Sequence, residues 1–136
     1  MAKAYSRVAI ALVLTGLFAS CSGPSRRSDP IVRAFEQRQK GVQVEGEGTV
    51  ARLLTDDSLG LPHQRFIVAL ASGHTIMIKH NTQVGSRIEG LKPGDAISFS
   101  GEYMWNDLGG MVHWTHHDPA GKHQAGWIKH DGRTYQ

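Results

Sequence analysis

The stretch with the most chemical potential is His113-Trp114-Thr115-His116-His117-Asp118-Pro119, with His123 close behind it. Imidazole nitrogens and a carboxylate are good ligands for zinc and other transition metals, and a histidine beside an aspartate can also serve as a general base. His113, His116, His117, Asp118 and His123 are therefore the candidate metal- or ligand-binding residues. The chain carries eight histidines, and His63 and His80 could join from neighbouring loops. The spacing matches neither the helical His-Glu-x-x-His pattern nor a Cys-x-x-Cys pair. On a strand, His113, Thr115 and His117 face one way while Trp114 and His116 face the other, unless Asp118-Pro119 bends the chain. Three roles are open for the cluster: closing the end of a barrel, holding zinc or another transition metal, and acid–base catalysis.

Other residues narrow the chemistry. Glu47 and Glu102 flank glycines and become ligands or bases only if they face inward. There is no Gly-x-Ser-x-Gly elbow, and neither Gly46/Gly48 nor Gly109-Gly110 precedes a helix as a phosphate cradle does. No catalytic residue can be named, and the balance leans away from an enzyme. Tyr103, Trp105, Trp114 and Trp127 are candidate aromatic contacts, and with Arg52, Arg65 and Lys79 they are raw material for a single-stranded nucleic-acid groove.

The single cysteine, Cys21, follows a basic start (Lys3, Arg7), an apolar run over 8–18, and Leu17-Phe18-Ala19-Ser20. The apolar run is too short to span a bilayer. The arrangement resembles the lipobox of bacterial lipoproteins. It implies a signal peptide over 1–20, lipidation at Cys21, and a tether over 21–29. Ser22 lacks the aspartate of inner-membrane retention, so the resemblance implies the bacterial cell envelope, on the periplasmic face of the outer membrane, with the membrane itself as a partner. Losing Lys3 and Arg7 lowers the net charge from +3 to +1, which counts against nucleic acid.

The remaining chain, 30–136, reads as one domain. Asp29-Pro30 starts a helix over 30–39 that Gly41 ends. The hydrophobic period then falls to two. Strands are predicted over 42–54 (bent near Gly46 and Gly48), 64–71, 74–80, 96–105 and 111–115, with a helical turn near 84–88. A polar, His-rich C-terminal extension ends in a small hairpin around Trp127 and Gly132. Five short strands in this order predict an all-β fold: a five-stranded, OB-like Greek-key barrel with a short leading helix.

The segments VEGEGTVARLLTDD, HQRFIVALASG, GLKPGDAISFSGEY and GGMVHWTHHDPAGKHQAGWIKHDGRTYQ together resemble the bacterial family catalogued as domain of unknown function 3465. The likeness covers about residues 42–136 and is similar in outline to other small exported OB-like barrels. It implies fold and location and brings no activity with it. The expectation is a lipid-anchored envelope binding module for a small ligand, glycan, peptide or partner protein. A transition-metal-binding protein or metal-dependent hydrolase built on His113–His123 is the alternative, and single-stranded nucleic-acid binding is the weaker one. Oligomeric state is not written in the sequence.

Overall fold

The computed structural model describes residues 29–136. The expected signal, Cys21 and all of the tether before Asp29 lie outside the described residues. The elements are α1 (Pro30–Glu36), β1 (Lys40–Leu53), β2 (His63–Leu70), β3 (Thr75–Asn81), β4 (Ala96–Met104), β5 (Met111–His113), β6 (Trp127–His130) and β7 (Arg133–Tyr135).

Strand neighbours run β1-β2-β3-β5-β4, and β1 pairs back onto β4 to close a five-stranded barrel. The β3–β5 pair is parallel, whereas β1–β2, β2–β3, β4–β5 and β1–β4 are antiparallel. This is the OB-type Greek-key barrel that the strand pattern predicts. One strand can serve two partners because β1 is 14 residues long. Its first half lies on β4 and its second half on β2, and Gly48 and Thr49 pair with both.

The bulges in β1 flank Gly46 and Gly48 and do not fall at them. The register slips between Lys40 and Val42, where Gly41 has φ 70°, and again between Val50 and Arg52. Gly46 and Gly48 serve a different purpose. A Cβ on Gly46 would run into Phe99 and the Ile31 tip, and one on Gly48 would overlap the Ala69 carbonyl. These glycines let the leading helix and the neighbouring strand close on the barrel.

Helix α1 starts as its sequence dictates. Asp29 Oδ1 accepts from the Ile31 N–H at 2.8 Å, and Pro30 occupies the first turn. It ends earlier than expected, at Gln37, because Arg38 turns left-handed at φ 51°. Its Ile31 and Ala34 plug the barrel core alongside Phe66, Val68, Ile78, Phe99, Tyr103 and Val112. Alternation puts Ile97, Phe99, Gly101 and Tyr103 of β4 on the inner face, all buried. Phe99→Ala removes a fully buried ring and is expected to cost about 3–5 kcal/mol. Urea unfolding checks this, and a loss below about 1 kcal/mol would contradict the core assignment.

One further expectation is corrected. The turn after β3 lies at 81–85, where Gly85 N–H bonds Asn81 O at 3.0 Å, and 84–88 contains no helix. The polar, His-rich stretch after His116, expected as a C-terminal extension, lies against the barrel. Its terminal hairpin is present as β6 and β7, with β6 antiparallel to β4 and Ile128 and Tyr135 in the core.

Candidate functional site

A cleft of about 260 Å³ opens beside β2, β3 and β5, near the lower end of ligand-pocket sizes, about 300 Å³. Leu61, Val84, Trp114 and Pro119 form its apolar wall, and His63, Lys79, Asn81, His113, His116 and Asp118 supply the polar groups. Strand parity alone does not produce this site. β5 stops at His113 because Trp114 takes a left-handed backbone, φ 51°. That conformation is costly for a bulky side chain and concentrates where function needs it. It breaks the expected alternation: Thr115 and His116 both turn inward, while His117 is exposed.

Beneath the cleft, His80 is fully buried. Its Nε2 lies 2.8 Å from the Ser86 carbonyl, which can only accept, so Nε2 carries the proton. Nδ1 therefore accepts from the Thr115 hydroxyl at 2.7 Å. Burial pushes the His80 pKa down and keeps the ring neutral. This pillar ties the loop after β3 to the segment after β5, the two walls of the cleft. His63, in the wall itself, is likewise lowered, first by burial and then by the charge on Lys79.

The five candidate residues are divided among separate tasks. Glu102 pairs with His113 across β4–β5 and holds His113 Nε2 at 2.9 Å through one oxygen and His123 Nε2 at 2.8 Å through the other. His123 Nδ1 faces the Gln124 carbonyl at 2.8 Å. Both ring nitrogens of His123 thus face acceptors, and its ring stacks on Trp114 at 4.2 Å. Asp118 accepts from the Ala120, Lys122 and His123 N–H groups and shapes the loop. His116 Nδ1 lies 2.6 Å from the His117 carbonyl. Among the described residues, no three His, Cys, Asp or Glu side chains come together as a metal-holding group.

The other sequence candidates disperse. Tyr103 is 0% exposed, in the core, so it offers no surface for stacking. This corrects its place among the aromatic contacts. Trp105 lies against Phe35 and under Arg38 near the helix. Trp127 sits on the β6 face with Lys129 over its ring. Glu47 is exposed, Lys79 pairs with Asp57 at 2.8 Å, and Arg65 Nε donates to the Thr55 carbonyl. Sequence reasoning missed Asn81 and Val84. The signal for Asn81 was an asparagine at a strand end, where its side chain caps a turn.

The clamp sets a pH dependence. Burial pushes the Glu102 pKa up, but the hydrogen bonds from His123 and His113 outweigh it and leave Glu102 below its ordinary 4.5. The same contact raises His123 above its ordinary 6.5. The Glu102 contribution is present above pH 4.5 and is lost as pH falls through the folded value. The His123 contribution is present below pH 6.5 and is lost as pH rises through the folded value. Both contributions are therefore fully present between pH 4.5 and pH 6.5. In Glu102→Gln, the His123 titration followed by NMR is expected to move down toward 6.5. An unmoved midpoint would contradict the clamp.

A closed five-stranded barrel of OB type, with one short helix, places the described chain among the small β-barrel proteins. Within that class the chain belongs to the DUF3465 family, whose model, described as "Protein of unknown function (DUF3465)", matches residues 13–136. No curated protein matches the sequence.

Proposed function

We propose that this protein is a lipid-anchored binding module of the bacterial cell envelope, tethered through Cys21 at the periplasmic face of the outer membrane, and that its cleft beside β2, β3 and β5 holds a small ligand. One observation carries this reading: an apolar-walled cleft with convergent polar groups, built by a strained Trp114 backbone and braced from below by a neutral buried histidine. Ligand sites are typically apolar clefts with a few convergent polar groups, and strained backbone clusters at such sites. In the alternative reading, metal binding or metal-dependent hydrolysis by the His113–His123 cluster, His123 would have to leave either Glu102 or the Gln124 carbonyl, since both of its ring nitrogens face acceptors. Single-stranded nucleic acid loses Tyr103 as a stacking ring, and the remaining tryptophans lie on separate faces.

The test is the unfolding temperature of the full chain in detergent micelles, measured with a panel of amino sugars, short peptides and small carboxylic acids. A ligand at a hundred times its Kd adds about 2.7 kcal/mol. At least one class of compound is expected to raise the midpoint, and Val84→Phe, which fills the cleft, to abolish the rise. Stabilisation that survives Val84→Phe would place binding elsewhere and overturn the reading.

A further inference from the structure

We infer that the cleft is a subsite for a neutral N-acyl amide, such as the acetamido group of an amino sugar or the backbone of a short peptide. This rests on the cleft being the ligand site, and it names the ligand's chemistry. Two side chains that line the cleft, Asn81 and His116, are each only 6% exposed. Each has spent one polar atom on the protein and kept the other.

Asn81 Oδ1 accepts from the Gln83 and Val84 N–H groups at 2.9 and 3.3 Å. That fixes the orientation of the amide and leaves the Nδ2 donors without a partner among the described residues and not sealed from solvent. His116 Nδ1 faces a carbonyl, which can only accept, so Nδ1 is the nitrogen that carries the proton when the ring has one. His116 Nε2 is then an acceptor, also without a partner among the described residues and not sealed. His113 Nδ1 and the sealed His63 Nδ1 also line the cleft without a partner among the described residues, and Asn81 Nδ2 and His116 Nε2 are the donor and acceptor that two nearly buried side chains leave reachable beside the apolar surface of Trp114, Val84 and Pro119. An N-acyl amide presents the complement: a carbonyl acceptor, an N–H donor and an apolar carbon end.

Charge argues for a neutral ligand. Lys79 is matched by Asp57, Glu102 by two histidines, and Asp118 by backbone N–H groups. Among the described residues, a phosphate would find no uncommitted cation in the cleft, since Lys79 is held by Asp57. A buried donor–acceptor pair rejects ligands that leave one of its members unpaired.

Saturation-transfer NMR on the full chain in micelles tests this with N-acetylglucosamine, N-acetylalanine methylamide and glucose. Fragments of this size bind with a Kd of about 1–10 mM. Saturation of the acetyl methyl is expected from one or both acylated probes, and none from glucose. A response from the sugar alone assigns a glycan source, and one from the peptide probe alone a peptide source. Asn81→Asp keeps the turn-capping oxygen but loses the donor. His116→Asn keeps a short donor for the His117 carbonyl but loses Nε2. Each is expected to weaken the acylated probe by about fivefold or more, with the unfolding midpoint little changed. Glucose binding as well as N-acetylglucosamine would overturn the amide assignment while leaving the cleft reading intact. So would silence from both acylated probes at about 50 mM, with the wider panel then deciding the cleft on its own.

Discussion

Gly126→Ala is expected to destabilise the protein by about 3 kcal/mol, the upper end of ordinary overpacking. A Cβ at this position would overlap the Trp114 and Ser100 carbonyl oxygens and lie 2.9 Å from Thr115 Cα. All three are backbone atoms, so no side chain can swing aside. Gly126 N–H also bonds the His116 carbonyl at 2.9 Å. The residue is the seam where the returning chain passes between β4 and the cleft wall before it enters β6. For a domain of this size the expected fall in Tm is on the order of 10–15 °C. Gly121→Ala is the control. It meets open space but has φ 64°, so only the left-handed backbone cost of about 1–2 kcal/mol applies. Equal losses from the two variants would show that the seam is not tight.

Cys21→Ala is expected to have the largest cellular effect. If two or three acyl chains hold the protein on the membrane, their loss moves nearly all of it from the membrane fraction to the soluble fraction, since anchoring by multiple chains is stable where a single chain is marginal. Intact-mass measurement checks the chemistry: the wild-type chain carries acyl mass and the variant does not. A wild-type chain without acyl mass, or a variant that still pellets with membranes, would contradict the anchor.

Much of the barrel was legible in the sequence because its physics is local. Phe66, Val68 and Leu70, and then Ile97, Phe99 and Tyr103, alternate cleanly, and alternation fixes which side chains fill a half-buried strand's core face. That same parity already placed Tyr103 inside. Offering it as a surface contact went against its own strand. Strand closure was less accessible: the length of β1 lets it pair with both β2 and β4, but its register slips around Gly41 and between Val50 and Arg52, which no period reveals.

The site was legible only as a list of residue types. Glu102 meets His113 through strand register, which the sequence does not fix. Trp114's left-handed backbone reverses the alternation that the histidine segment would otherwise follow. Asn81 gave a weak local sign, a turn cap, while its importance lies in the donor that the cap leaves over.

The most direct test of the account is a ¹H–¹⁵N NMR titration with the compound that most raises the unfolding midpoint, mapped onto assigned resonances. The account predicts shifts concentrated at Asn81, Val84, His116 and the Trp114 indole, fading away from the cleft. Shifts centred on Trp127 and the β1–β4–β6 face, with the cleft silent, would contradict it.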